Sequence, residues 1–126
     1  MEQTAEKISR LLDVEIEVSG GSAFIKKKRS FRLKSGKHLI SVTLDLDISF
    51  SSIQQDGTAS NKAEIIMLPE EFPVFSAALL HYPIPLPITY SQRFAVKGDL
   101  YKVQLESQEI PENFVERLEA ALLAID

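Results

Sequence analysis

Two aspartates on one predicted strand are the clearest candidates for chemistry in this sequence. Asp45 and Asp47 alternate with apolar residues, so on a strand they share one face, about 7 Å apart. Two carboxylates at that spacing are able to bind a divalent cation through oxygen ligands. Their parity is opposite to the apolar one, however, and a solvated outer face explains them without a function. We favour the outer face and predict no metal site.

The other reactive residue types are sparse and separate. His38 begins a predicted strand and His81 lies near the end of a predicted helix, whereas catalytic and metal sites need convergent partners. The chain has no cysteine, which excludes disulfides, thiolate zinc sites and cysteine nucleophiles. Gly20-Gly21 lacks the lysine and the spacing of a phosphate loop, and no serine lies in a nucleophile elbow. We therefore expect no catalytic residue and no cofactor.

A basic cluster between residues 26 and 37 holds half of the 14 lysines and arginines, and no acid occurs in residues 18–44. Such asymmetry is typical of a surface for nucleic acid or another anionic partner. The candidate residues for this patch are Lys26, Lys27, Lys28, Arg29 and Arg32. Strand alternation would divide these charges between two faces, and we expect Phe24 and Phe31 in the core. We therefore favour a solvated edge and do not predict nucleic-acid binding.

Length and composition describe one globular domain, residues 1–126. The apolar share is 44% and the charged share 25%, and the net charge of −4 creates no strong field toward nucleic acid or membrane. No segment approaches the roughly 20 apolar residues of a membrane span. The first ten residues are polar and mixed in charge, unlike a signal peptide. We expect a cytoplasmic protein without membrane association.

Periodicity predicts a short helix and then a run of strands in the first half. Apolar residues at helical spacing mark the helix: Ala5, Ile8, Leu11 and Leu12. Alternation predicts strands at residues 14–18, 23–27, 30–34, 38–50 and 62–68. The strand at 38–50 has the strictest period of two, the mark of a sheet with one buried face. The polar connection at 54–61 contains Asp56-Gly57, a strong turn signal.

The second half alternates helices with a hairpin. Pro69-Glu70-Glu71 begins a helix that ends by Tyr82, with its apolar side formed by Phe72, Phe75, Leu79 and Leu80. Residues 88–96 and 100–105 form a hairpin around Lys97-Gly98-Asp99. A last helix begins at about Pro111, and its apolar stripe is Phe114, Leu118, Leu122 and Ile125.

Three prolines, Pro83, Pro85 and Pro87, alternate with apolar residues between the helix and the hairpin. Each removes an amide donor and pushes the preceding residue toward extended geometry. The segment is therefore an edge strand or a polyproline-like run, and a central strand is excluded. We favour the edge strand, because the spacing lacks the two-residue gap of the usual proline-rich recognition motif.

The run Ile65-Ile66-Met67-Leu68-Pro69-Glu70-Glu71-Phe72-Pro73-Val74-Phe75-Ser76-Ala77-Ala78-Leu79 resembles the LppY/LpqO-like family of uncharacterised bacterial proteins. In that family a strand enters a helix through a Glu-rich turn with a nearby proline, and a hairpin and an amphipathic helix follow. The resemblance covers about residues 30–125. It implies the same order of elements here.

The sequence departs from the family at its histidines. The family carries a His-Asn-His run in the first strand of the hairpin and another histidine in the second. This chain has Tyr90-Ser91-Gln92 and Gln104 at those places. Tyrosine and glutamine form hydrogen bonds but are poor zinc ligands and poor bases at neutral pH, so the family's metal chemistry is not expected here.

We predict a two-layer α+β sandwich, with a mainly antiparallel sheet covered on one face by two helices and a short N-terminal helix. The leading hypothesis is a non-enzymatic binding or protein-interaction domain. Its candidate surface for a ligand or partner is Tyr90, Gln92, Arg93, Tyr101 and Gln104. The alternative is a small-molecule-binding or divergent enzyme domain that uses the hairpin at 88–105. A third hypothesis is a homo-oligomer formed through the strand at 62–68 or the last helix.

Overall fold

The computed structural model describes residues 17–19, 22–35, 38–52 and 54–125. The strands are β1 (Glu17–Ser19), β2 (Ser22–Ser35), β3 (His38–Ser51), β4 (Ala59–Met67), β5 (Ser91–Lys97) and β6 (Leu100–Glu109). The helices are a 3-10 turn (Pro69–Glu71), α1 (Phe72–His81) and α2 (Pro111–Ala124). The helix expected near Ala5, Ile8, Leu11 and Leu12 lies outside the described residues.

The six strands form one sheet in the order β1-β2-β3-β4-β6-β5, and every neighbouring pair is antiparallel. Both α-helices pack on the same face of this sheet, which confirms the predicted two-layer α+β sandwich. Strand β4 lies between β3 and β6, so the strand predicted at 62–68 is internal. The hypothesis that this strand forms an exposed edge for self-association is therefore wrong.

The buried face of the sheet follows the alternation of the sequence. On β3 the side chains of Leu44, Leu46, Ile48 and Phe50 are buried while Asp45 and Asp47 are exposed. Burying each large apolar side chain stabilises the fold by about 1.5–3 kcal/mol. The rings of Phe50 and Phe114 meet edge to face at 6.5 Å, joining the sheet to α2.

Strand β2 corrects two predictions. Residues 23–27 and 30–34 are parts of one continuous strand, because β2 pairs with β3 without interruption from Ala23↔Phe50 to Ser35↔His38. Long-range pairing outweighs the weak strand preference of the basic run between them. Phe24 was expected in the core but is 47% exposed on the face opposite α1 and α2, which carries no helix of the described residues and is called the helix-free face below. The side chain of Phe31 lies outside the described residues.

Helix α1 ends at His81, as its sequence predicts, but its buried side is narrower than expected. Phe75 and Leu79 are buried and Phe72 is half-buried, whereas Leu80 is 69% exposed. The entry to the helix is held by Glu71, whose Oε1 accepts a hydrogen bond of 2.8 Å from the Leu68 backbone N–H. The prediction that Leu80 belongs to the core is wrong.

The proline segment is a loop, so the predicted edge strand there is wrong. The edge of the sheet is instead β5, which follows the loop. The β5–β6 hairpin turns through Gly98 and Asp99, and Gly98 has φ +62° at the first central position. That geometry fits a type II′ turn, for which glycine is preferred. The hairpin predicted around these residues is confirmed.

Helix α2 begins at Pro111 and buries the predicted residues Phe114, Leu118 and Leu122. It also buries Arg117, which is 1% exposed and which the sequence analysis did not single out. No helix in the described part of the chain has the length and apolarity needed to span a membrane.

Candidate binding surface on helix α1 and the hairpin

The structure divides the predicted surface between the two faces of the sheet. Gln92 lies opposite Leu105 in the strand register, and Tyr101 lies opposite Val96. These side chains lie on the helix side of the sheet, where Tyr90 also packs. Arg93 and Gln104 are direct cross-strand partners on the helix-free face. Successive residues of a strand point to opposite faces, so adjacent sequence positions such as Gln92 and Arg93 cannot share one site.

The polar members on the helix side are connected to one another. Tyr90 donates a hydrogen bond of 2.5 Å to Gln92 Oε1, and Gln92 Nε2 donates one of 2.8 Å to Ser76 Oγ on α1. Burial raises the pKa of the Tyr90 phenol, the negative charge of Glu109 raises it further, and Arg117 opposes the shift. The phenol therefore stays neutral and acts as a donor that links the hairpin to the helix.

An aromatic cluster extends this junction toward the sheet edge. The ring of Phe94 stacks on Tyr101 at 4.7 Å and meets Phe72 of α1 edge to face at 4.8 Å. Phe72 and Tyr101 also meet edge to face at 5.7 Å. Aromatic pairs at these separations contribute about 0.5–1.5 kcal/mol beyond burial. Phe94 is nevertheless 50% exposed, so the cluster presents one apolar flank to solvent.

The outer side of α1 continues the apolar character of this cluster. The ten residues of α1 contain no Asp, Glu, Lys or Arg. Val74 and Leu80 are exposed large apolar side chains, and Val96 on β5 is 68% exposed. A helix that is apolar on all sides is typically buried against a second element. We call Phe72, Pro73, Phe94, Val96 and Tyr101 the helix–hairpin surface.

A shallow cavity of about 300 Å³, largely open to solvent, lies within this surface between α1 and the hairpin. Its lining is Pro69, Phe72, Pro73, Ser76 and Tyr101. The hydroxyl groups of Ser76 and Tyr101 are the polar side-chain atoms of that lining, and the remaining walls are apolar. The cavity therefore suits an apolar or aromatic group with one or two hydrogen-bonding atoms.

The helix-free face carries a separate polar network. Arg93 Nε donates a hydrogen bond of 2.8 Å to Gln104 Oε1, and Gln104 Nε2 donates one of 3.3 Å to Glu64. Lys102 Nζ lies 3.2 Å from the carboxylate of Glu64. A concavity of about 320 Å³ lies on this face, with Phe24 at its border. Its lining mixes acids and bases, so it has no single charge preference.

The basic patch is divided as alternation requires. Lys26 and Lys28 are exposed on the helix-free face, opposite Asp47 and Asp45 of β3 in the strand register. Lys27 lies on the other face, and the side chains of Arg29 and Arg32 are outside the described residues. Each exposed lysine therefore faces an aspartate, which weakens the attraction of this part of the patch for an anionic partner.

The remaining candidates do not converge. Among the described residues, no group of three or more histidine, aspartate or glutamate side chains is placed to hold a metal ion. His81 Nδ1 lies 2.8 Å from the Ala77 carbonyl oxygen on its own helix. The side chain of His38 is outside the described residues.

A buried ion pair between Arg117 and Glu109 positions the proline loop that precedes β5. Arg117 Nη1 and Nη2 each donate a 2.9 Å hydrogen bond to the carboxylate of Glu109. Arg117 also donates to the carbonyl oxygens of Ile84 and Pro85, at 3.3 and 3.0 Å. The carbonyl groups of the proline loop thereby gain fixed hydrogen-bond donors, and the loop continues to Tyr90 at the junction with α1.

Sequence reasoning missed this pair, although the periodicity marks both residues. Arg117 lies three residues after Phe114 and one before Leu118, within the apolar stripe of α2. Glu109 continues the buried parity of Val103, Leu105 and Ser107 on β6. Asn61 likewise occupies a buried position of β4, and its Nδ2 donates to the carbonyl oxygens of Ala59, Ser107 and Glu109. In each case a polar residue occupies a position that the periodic pattern assigns to the core, and this could have predicted the buried polar contacts.

No protein-family model, curated protein or solved structure matches this chain. The resemblance to the LppY/LpqO-like family therefore stays a prediction. The polar links of Tyr90 and Gln92 to α1 are consistent with the expectation that these positions serve hydrogen bonding here.

Proposed function

We propose that this protein is a non-enzymatic interaction domain that binds a partner through the helix–hairpin surface. The observation that carries the proposal is the apolar group that Phe72 and Pro73 of α1 form with the hairpin, where Phe94 is half-exposed and Val96 exposed. Exposed apolar side chains grouped on one surface and bordered by polar residues are typical of protein-interaction sites. Aromatic side chains such as Phe94 and Tyr101 are the residues that most often dominate binding energy in such sites.

The internal hydrogen bonds of the surface support the same proposal. Gln92 accepts a hydrogen bond from Tyr90 and donates one to Ser76, so these three side chains are paired with one another without a partner. A surface whose polar groups are paired internally presents its partner with a preformed shape. Binding to it then requires little ordering of side chains, which lowers the entropic cost of association.

The experiment is affinity capture from a lysate of the cell that produces this protein, with quantitative mass spectrometry. The baits are the wild type, Phe94→Ser and Phe24→Ser. Phe24 is the matched control because it is a strand phenylalanine of similar exposure on the opposite face of the sheet. We expect Phe94→Ser to reduce recovery of the partner about tenfold or more, the effect of about 1.4 kcal/mol. Equal recovery with all three baits rejects the surface.

The cavity of about 300 Å³ favours a second candidate function, the binding of a small apolar molecule between α1 and the hairpin. The test is a thermal-shift screen with small aromatic compounds on the wild type and on Ser76→Leu. The leucine side chain fills the cavity and removes the hydroxyl that Gln92 binds. Stabilisation of the wild type alone supports a ligand site, and no shift in either protein removes this candidate.

A further inference from the structure

Strand β5 ends the sheet with a free edge. In the described part of the chain β5 pairs only with β6, so its other edge carries backbone N–H and C=O groups that no strand engages. Such an edge is a template for pairing with another extended segment. The edge belongs to the same hairpin as Phe94 and Val96, so it is continuous with the helix–hairpin surface.

The side chains of β5 differ between its two faces. On the helix side it presents Phe94 and Val96, both substantially exposed. On the helix-free side it presents Arg93 and Lys97, also exposed. Natural edge strands are commonly protected by charges, prolines or bulges. On β5 the charges lie on one face, and the other face leaves apolar area that an added strand would cover.

The charges of β5 indicate which kind of strand can pair with its free edge. Arg93 and Lys97 are the charged residues of this strand, so two paired copies of β5 would place cations against cations at the seam. Like charges on neighbouring strands are destabilising, whereas opposite charges attract. Lys97 has no ion-pair partner within 4 Å among the described residues. The contact of Arg93 with Glu106 is long, at 3.8 Å, and solvent-exposed, so it competes weakly.

We propose that β5 accepts an extended, acidic peptide segment of a partner protein as an additional strand of the sheet. Acidic residues of the segment lie beside Arg93 and Lys97, and the apolar residues between them cover Phe94 and Val96. The alternation follows from strand geometry, since residues opposite each other across a strand pair share a face. This inference rests on the proposed function and specifies how the partner engages the surface.

The probe is a capped seven-residue peptide of alternating glutamate and valine, the length of β5. Its matched control has lysine at every glutamate position. We expect the wild type to bind the glutamate peptide about tenfold more tightly than the lysine peptide, measured by titration calorimetry at low salt, because two cross-strand charge pairs change sign. Equal affinity for the two peptides overturns the charge selection.

The charge-reversed variant Arg93→Glu/Lys97→Glu provides the reciprocal measurement. Both side chains are exposed, so the fold should be retained, which circular dichroism checks. The preference should reverse, with the lysine peptide bound more tightly than the glutamate peptide. A variant that is folded and keeps the original preference contradicts the assignment to Arg93 and Lys97.

Backbone methylation distinguishes strand addition from side-chain contact. Alternate amides of an extended peptide point to the same edge. Two glutamate peptides are made, N-methylated on one or the other alternate set of residues. Strand addition predicts that one isomer loses binding and the other retains it. Retention by both isomers overturns strand addition even when the charge preference holds.

Failure of this inference is distinguishable from failure of the proposed function. If Phe94→Ser abolishes capture of a partner while neither peptide binds, the helix–hairpin surface stands and the strand mode is rejected. If the glutamate peptide binds and capture is unaffected by Phe94→Ser, the edge accepts strands but the proposed function of the surface is rejected.

Discussion

Arg117 and Glu109 form a buried bidentate ion pair, with both guanidinium-to-carboxylate distances at 2.9 Å. Arg117 is 1% exposed, so the pair joins α2 to the end of β6 without solvent between them. The same guanidinium holds the carbonyl oxygens of Ile84 and Pro85. One side chain thus connects α2, the end of β6 and the proline loop more than thirty residues earlier, and the loop that leads into the hairpin depends on it.

Removing one partner of this pair should be strongly destabilising. Arg117→Met leaves the buried Glu109 carboxylate without its guanidinium partner, with only the Ser107 hydroxyl among the described residues donating to it, and removes the donor of two loop carbonyl groups, so we expect a loss of about 3–5 kcal/mol. The double variant Arg117→Met/Glu109→Leu removes the stranded charge and should be less destabilised than the single variant. Urea unfolding of the wild type, both single variants and the double variant measures the coupling. A double variant as unstable as the sum of the singles would show that the pair is not coupled.

Asn61 should contribute through its three backbone contacts. Its Nδ2 donates to the carbonyl oxygens of Ala59, Ser107 and Glu109 in a fully buried site, while its Oδ1 has no hydrogen-bond partner among the described residues. Asn61→Ala removes these donors, and we expect a loss of about 1–3 kcal/mol in the free energy of unfolding. Ser60→Ala, at the neighbouring position on the opposite face, is the control and should change stability by less than about 0.5 kcal/mol.

The raised pKa of the Tyr90 phenol leads us to expect a loss of stability at alkaline pH. Burial raises its pKa in the folded state, while the unfolded chain returns to a pKa of about 10. Above that pH the unfolded state binds fewer protons than the folded state, so stability falls as pH rises. Tyr90→Phe removes this contribution along with the hydrogen bond to Gln92. Urea unfolding at pH 8 and pH 10.5 should therefore show a smaller alkaline loss in Tyr90→Phe than in the wild type.

Local patterns predicted much of the fold because the residues that form the core recur at the period of a strand or a helix. The alternation of β3 identified its buried face, and Pro111 marked the start of α2. The exposure of Leu80 was not predictable in this way, since α1 is apolar on both sides and only the position of the sheet decides which side is buried. The proline loop was misassigned for a related reason. Its carbonyl groups are satisfied by Arg117, more than thirty residues later, and no local pattern contains that contact.

The hairpin was predicted from the sequence, but the structure divides the surface predicted on it, for a geometric reason. Tyr90, Gln92 and Tyr101 lie on the helix side of the sheet, whereas Arg93 and Gln104 lie on the other face. No local pattern marks Phe94 as exposed, because an aromatic residue on an alternating strand is ordinarily buried. Its exposure follows from the place of β5 at the sheet edge, which depends on the order of all six strands and not on the local sequence.

Substitution of Val96 should weaken binding of a partner while leaving the stability of the fold almost unchanged. Its side chain is 68% exposed on the helix side of β5, next to the aromatic cluster. Val96→Ser removes apolar contact area from the surface but little from the core, so we expect a stability change within about 0.5 kcal/mol. Recovery of a captured partner should nevertheless fall severalfold, because a hydrophobic contact of the interface is lost. Leu123→Ser, an exposed apolar position on α2, is the matched control and should leave recovery unchanged. If both variants reduce recovery equally, binding responds to general surface hydrophobicity and the helix–hairpin surface is not the specific site.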